Sequence, residues 1–433
     1  RVNQPNYTFD PFYYAFKELG IQTPKGWEIT GDLRTGYVNY DYSNSPYNFN
    51  PDINKGHKDS KGYYFIPKVS IISPKYKGFY GKITGAGVTD FGLNDSAYET
   101  RTFALGTEGG SGYGHGYAIL QEAYLSYAQD GQKFLIGSEE LSTPMIDSDD
   151  WYLLANTFQL AYYANRTFEN ILFAGGYFYK MAGVWDSGAD GTTYNSMADA
   201  SFVDARDKAN ASDGGVYAGV FQYSDETHNL QVWNYYAPDL YNTLFAQYDY
   251  TQKVDGFSYD AGAQFINFKE VGALADNDYT HIDYSIFSLR FDGKFENGFD
   301  ISTGASFFTD GEGVGATLGA WGGYPYFANG MIFHFFEAGS LQNANSYKVQ
   351  LGYDLGEMGI KNLWAGVRLT HFDLDPNYSK TATGLPQDEM SLIGLRLSYQ
   401  DKSGLYFTGS YEYVDLDNEP SISALRLIGG YKF

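Results

Sequence analysis

Residues 346–355 read SYKVQLGYDL. Successive side chains of a strand point to opposite sides, so Ser346, Lys348, Gln350, Gly352 and Asp354 share one face. Tyr347, Val349, Leu351, Tyr353 and Leu355 share the other. One face suits water and the other is wholly apolar, with tyrosine near both ends. Residues 390–400 repeat the pattern, with Arg396, Ser398 and Gln400 against Ile393, Leu395, Leu397 and Tyr399. So do 405–413, with Thr408, Ser410 and Glu412 against Leu405, Phe407, Tyr411 and Tyr413, and 422–433, with Ala424, Arg426, Gly430 and Lys432 against Leu425, Leu427, Tyr431 and Phe433. A soluble sandwich would meet that apolar face with a second sheet, and would not place aromatics at strand end after strand end. A membrane barrel does so, in two aromatic girdles.

The connections strengthen the pattern. Short turns such as Asp130-Gly131, Asp255-Gly256, Asn297-Gly298 and Asp401 to Gly404 alternate with long polar stretches at 44–62, 91–115, 144–155, 186–213, 272–279, 310–345 and 376–389, although the connections 237–240 and 418–421 are short where long ones are expected. Short turns on one side and longer loops on the other are the outer-membrane rhythm. The strands expected are 28–43, 63–73, 79–90, 116–129, 133–143, 156–165, 171–185, 214–224, 229–236, 241–254, 257–271, 280–296, 299–309, 346–355, 362–375, 390–400, 405–417 and 422–433. They make an all-β fold, an 18-stranded antiparallel transmembrane β-barrel with short periplasmic turns and longer extracellular loops, spanning 28–433. A soluble propeller would need a repeated blade of constant period, and none is present. Residues 1–27 do not alternate. Asp10, Pro11 and Gly20 bracket a short helix, expected to lie as a periplasmic tail or inside the lumen.

Composition agrees. The 433 residues carry 29 Lys+Arg and 52 Asp+Glu, a net charge of −23, with 18% aromatics, 51 Gly and no Cys. Without cysteine there is no disulfide framework, iron–sulfur cluster or thiol nucleophile. The acidic balance argues against nucleic acid as a partner, and the aromatic content against disorder. No apolar run reaches the roughly 18 residues of a membrane helix. The chain starts at Arg1 without a charged-then-apolar leader, which fits either a cytoplasmic protein or a removed signal peptide.

Three stretches resemble a known family: LQEAYLSYAQ at 120–129, IGSEELSTPMIDSDDWYLLANTFQLA at 136–161 and LFAGGYFYKMAGVWD at 172–186. This block is similar to the OprD-type porins, particularly those of Campylobacterota. AWGGYPYFANG at 320–330 resembles their constriction loop, and the ending YFTGSYEYVDLD…SALRLIGGYKF resembles the major outer-membrane porins of the same bacteria. The resemblance implies a monomeric or trimeric channel in the bacterial outer membrane. It would admit ions and small hydrophilic solutes, often carboxylates such as amino or organic acids, past a ladder of basic side chains.

Strand parity places the basic residues without analogy. Arg34, Arg290, Lys294, Lys348, Arg368, Arg396 and Arg426 all fall on the polar face. On the lipid face at mid-membrane each would cost about 2–4 kcal/mol, so they belong in the lumen. Arginine suits a carboxylate because its planar fork donates two parallel hydrogen bonds. The bland alternative is pairing with acids of the same parity, Glu28, Asp32, Asp292, Asp354 and Glu412. Loop 310–345 is the expected eyelet, since Trp321, Tyr324, Tyr326 and Phe327 would find a wall to pack on by folding inward. Asp147, Asp149 and Asp150 of loop 144–155 would face the basic stripe. They also offer the oxygen ligands calcium takes, but the EF-hand spacing is absent, and no cofactor or metal is expected.

Enzymatic signals are thin. The six histidines form no HExxH pair and there is no GxSxG. A barrel hydrolase would need serine, histidine and an orienting partner together at one rim. Besides the channel, an adhesive or structural barrel with a blocked lumen fits the same pattern.

Overall fold

A computed structural model describes residues 26–41, 59–94, 116–150, 153–183, 193–208, 211, 214–276, 279–333, 341–380, 385–418 and 420–433. The proposed N-terminal helix, and much of loops 44–62, 91–115 and 186–213, lie outside these. The strands are β1 (Glu28–Asp41), β2 (Ser60–Ile72), β3 (Phe79–Val88), β4 (Tyr117–Gln129), β5 (Gln132–Glu139), β6 (Thr157–Asn165), β7 (Ile171–Ala182), β8 (Tyr194–Ser196), β9 (Val216–Ser224), β10 (His228–Ala237), β11 (Tyr241–Val254), β12 (Phe257–Glu270), β13 (Asp283–Phe295), β14 (Phe299–Phe308), β15 (Asn345–Asp354), β16 (Leu363–Asp373), β17 (Glu389–Gln400), β18 (Leu405–Leu416) and β19 (Ile422–Lys432). Eighteen of them form a closed antiparallel ring. The three-residue β8 pairs only with the end of β7, continuing the wall above β9. All eighteen expected strands are present, with ends shifted by a few residues.

The ring closes where β1 pairs β19, from Asp32↔Lys432 to Asp41↔Ser423. The terminal residue completes the seam: Gly31 N–H donates to Phe433 O at 2.9 Å and Phe433 N–H to Gly31 O at 3.0 Å. Closure leaves no strand edge, which a lipid environment requires of any sheet. At the short-turn end, Asp130 (φ 52) and Gly131 (φ 77) both take the left-handed conformation that a tight hairpin needs.

The outer wall is an apolar belt. Leu351, Leu369, Ile393, Leu395, Leu397 and Leu427 point outward and are exposed. Aromatics flank them. Near the short turns, Phe79 packs on Tyr127, Phe173 on Phe221, Phe257 on Phe295 and Tyr431 on Phe433. Near the long loops, Tyr177 packs on Tyr217 and Phe265 on Phe287. An exposed surface of this size and composition belongs in a bilayer. No described helix is long and apolar enough to cross a membrane; here the strands cross.

The register slips at two described places, between Gln159 and Leu160 in the β6–β7 pair and in the β3–β4 pair, where it redirects a charged side chain. Between Thr84 and Gly85 the β3–β4 register slips by a bulge, so Thr84 faces Glu122 while Gly85 faces Leu120. The extra residue turns both Gln121 and Glu122 inward, 1% and 2% exposed.

Candidate functional site: the lumen constriction

The lumen is narrowed by two loops. The described stretch 314–333 of loop 310–345 folds into the barrel, and Trp321, Tyr326 and Phe327 are buried at 1%, 1% and 7% exposure. Tyr324 lies beside them, partly buried. The Trp321 ring stacks on Tyr241 of β11 at 5.2 Å, and its indole N–H donates to Met197 O at 2.9 Å. The two loops join directly where Asp147 N–H donates to Trp321 O at 2.9 Å.

A chain crossing a barrel interior must find partners for its peptide groups. The wall supplies them. Gln264 of β12 donates to Pro325 O at 2.9 Å, Thr370 to Asn329 O at 3.1 Å, and Arg368 Nη1 to Gly330 O at 2.9 Å. The Ser306 hydroxyl accepts from Ala328 N–H at 3.2 Å. Space is supplied too: a Cβ on Gly304 would lie 3.2 Å from the Phe327 carbonyl oxygen.

Beside the loops lies a cavity of about 680 Å³ with opposed charge banks. Cations come from adjoining strands of the seam: Arg396 (β17), Arg426 and Lys432 (β19), Arg34 (β1), Lys68 (β2) and Lys82 (β3). Acids come mostly from β4, β5 and the following loop, Glu122, Glu139, Glu140, Asp147, Asp149 and Asp150, with Asp32 of β1 on the cation side. Several touch. Arg34 donates to Asp150 at 2.8 Å and to Leu153 O at 3.0 Å; Arg426 donates to Asp150 O at 3.2 Å. Lys68 meets Glu140 at 2.6 Å and Lys82 meets Glu122 at 2.7 Å.

The two loop acids differ in proton affinity. Enclosure by the protein raises Asp150, but Arg34, Arg426 and Arg396 outweigh it and hold its carboxyl below the usual range. Nearly half of that side chain nonetheless opens to the lumen. Asp147 has no such cation. Enclosure, and then the charges of Asp149 and Asp150, push it up to about 7 against a hydrogen bond from Ser142.

The seven parity-placed cations all lie on the inner wall, but in unlike settings. Arg34, Arg396 and Arg426 line the cavity. Arg290 is enclosed by Asp249 at 2.8 Å, Asp260 at 3.2 Å and Asp292 at 3.6 Å, with its guanidinium over Phe327 at 5.1 Å. Lys348 shares its register row across Gly304, and makes no ion pair with any described residue. Lys294 is exposed at the short-turn mouth. Arg368 is 5% exposed, spanning Gln350 and the Gly330 carbonyl. Of the acids expected to neutralise the stripe, Asp32 lies 3.8 Å from Arg34 and Asp292 meets Arg290. Glu412 instead accepts from loop amides, and Asp354 caps the turn after β15 by accepting from Gly356 N–H.

Lys68, Lys82 and Lys133 escaped the parity reading although they sit on the same inward face. Lys133 is 1% exposed, 3.9 Å from Glu139 and over the Tyr162 ring. One serine–histidine–aspartate trio does exist at a rim: Ser391 lies 2.9 Å from His371 Nδ1, and Asp373 lies 3.1 Å from Nε2. It sits on the outer wall, with Asp373 more than half exposed. A triad's aspartate is buried, so this is a solvated surface contact.

No protein-family model and no curated protein matches the sequence. Solved structures do. OccAB4 of Acinetobacter baumannii superimposes with a TM-score of 0.76 at 15% identity, over 95% of this chain and 99% of that one. A BenF-like porin of Pseudomonas fluorescens gives 0.73 at 16%, over 95% and 100%. OpdK of Pseudomonas aeruginosa, in a structure with vanillate, gives 0.72 at 14%, over 95% and 100%. The fold is that of the OprD/Occ porins. Near-complete coverage of both chains means that the likeness extends over the barrel as a whole.

Proposed function

We propose that this chain is an outer-membrane porin of the OprD type, in the form found in Campylobacterota. It is a passive diffusion channel for ions and small hydrophilic solutes bearing carboxylates, such as amino or organic acids. The observation that carries this is the cavity with opposed charge banks beside the two inward loops. Arg34 and Lys68 keep water-facing surface while held by Asp150 and Glu140, so a passing carboxylate can exchange with either acid at modest cost. Fork-shaped donors on adjoining strands let it hand over from one to the next. The structural neighbour OpdK with vanillate, itself a carboxylate, is in keeping with that chemistry. No cofactor is needed, transport runs down the gradient, and a homotrimer is the assembly proposed from the resemblance to major porins. The acidic exterior, at −23 overall, enriches small cations at the mouth.

The test is single-channel recording in a planar bilayer across a KCl gradient, followed by succinate or glutamate as the current-carrying anion. Discrete steps with measurable carboxylate current support the proposal. An inserted, silent barrel refutes it and favours the blocked, adhesive form.

A further inference from the structure

Glu412 is fully buried on the inner face of β18, where a carboxylate without a cation at contact distance is costly. Its partners are three consecutive peptide N–H groups of the eyelet loop. Met331 donates to Oε1 at 2.5 Å, and Ile332 and Phe333 donate to Oε2 at 2.6 and 2.9 Å. The wall around it is cut to receive a chain. Its register row runs Arg368, Gly394, Glu412, Ala424, across β16 to β19. Gly394 and Ala424 are the small members beside the carboxylate. A Cβ on Gly394 would lie 3.0 Å from the Met331 Cβ. Arg368, two strands and about 9.6 Å away in that row, donates to the carbonyl of Gly330 at 2.9 Å. Along Gly330–Phe333 the carbonyl end therefore meets a cation and the amide end an anion, and the row reads the polarity of the loop backbone.

We propose that Glu412 is the positioning residue of the eyelet: it fixes the constriction loop against the wall and so sets a single aperture. This rests on the channel proposal above. It also separates the inner-wall charges into those that face solute and those, Arg368 and Glu412, that hold the gate's frame. Hydrogen bonds from charged groups are the stronger kind, and three on one carboxylate suffice to immobilise a short chain.

The test is single-channel recording of Glu412→Gln and, separately, Ile332→Pro, which removes one donor and leaves the wall charge unchanged. The folded barrel of each is checked by its mobility in unheated gels. Both should lose the single open level of the natural channel, showing several substates and several-fold higher open-channel noise. The sequence has no cysteine, so a Met331→Cys/Gly394→Cys pair can pin the loop. The Cβ separation is 3.0 Å, within 1 Å of the usual value of about 3.8 Å. In the Glu412→Gln background the oxidised pair should restore one quiet level, and reductant should abolish it. A quiet Glu412→Gln channel overturns the proposal. So does noise that survives the closed disulfide, which would assign the effect to lost charge. A silent natural channel would instead refute the porin proposal.

Discussion

Replacing Asp147 with asparagine should remove a pH dependence from the channel's ion selectivity. Asp147 lines the cavity, and its carboxyl titrates at about 7. Between pH 5 and pH 9 its ionised fraction rises from about 1% to about 99%. The constriction thus gains one negative charge across a window in which ordinary carboxylates stay ionised. For a cation passing about 6 Å away in water, that charge is worth about 0.7 kcal/mol, or roughly threefold in local concentration. A lower effective dielectric inside the barrel would enlarge it. Chloride is depleted by the same factor, so the potassium-to-chloride permeability ratio, read from the reversal potential, should rise by about tenfold from pH 5 to pH 9, with its midpoint near 7. Every other titratable group is common to both proteins, so the difference between natural and Asp147→Asn channels isolates the loop acid. The stability effect has a definite sign. The carboxyl's pKa is raised in the fold, so its contribution is complete below about pH 4 and is lost as pH rises towards 7. Above pH 8 the asparagine variant should melt at the higher temperature. Identical selectivity curves for the two channels would refute the placement of Asp147 beside the ion path.

Two further outcomes test the charge banks and the belt. Arg34→Gln removes the 2.8 Å partner of Asp150 and leaves Asp150 with Arg426; carboxylate current should fall and the reversal potential move towards potassium, in the same bilayer assay. Leu395→Arg puts a charge on the outward face of β17, where the side chain is 52% exposed. It should cost about 2–4 kcal/mol if it lies near the bilayer midplane, measured as a lower urea midpoint for the folded band in unheated gels.

The barrel was legible because its rule is local. A period of two needs only the next few residues, and Tyr347 to Leu355 or Ile393 to Tyr399 display it without knowledge of their neighbours. Register irregularities are not local. Glu122 lies on the outward parity of the first half of β4, and only its pairing with β3 reveals the bulge that turns it to Lys82. Lys68 and Lys82 carried the right parity signal, but their partners Glu140 and Glu122 lie 72 and 40 residues along the chain, and no spacing rule links them. Trp321 and Phe327 marked the inward loop by their apolar character. What they pack on, Tyr241 and Arg290, depends on how the loop crosses the lumen.

The same distinction changes how a basic ladder should be counted. From sequence, Arg368 and Arg396 are equivalent to Arg426: inward, mid-strand, and near the seam. In the fold, Arg368 spends two nitrogens on Gln350 and one on the Gly330 carbonyl. Arg396 gives one to Ser410 at 2.9 Å and reaches the Met331 carbonyl at 3.5 Å while still lining the cavity. A loop folded into a barrel replaces water on the wall, so wall donors become partners for its carbonyls, and the longest donors reach it first. Removing Arg368 therefore frees the loop as well as deleting a charge, and potassium conductance should change together with carboxylate flux. Arg426, which donates to the Tyr40 hydroxyl of β1 and to the Asp150 carbonyl of the smaller loop, each at 3.2 Å, touches no part of the eyelet loop through these bonds and is the cleaner probe of solute binding. If substitutions at Arg368 and Arg426 altered carboxylate flux alike and left potassium conductance untouched, the eyelet would have to be held by something other than the wall arginines.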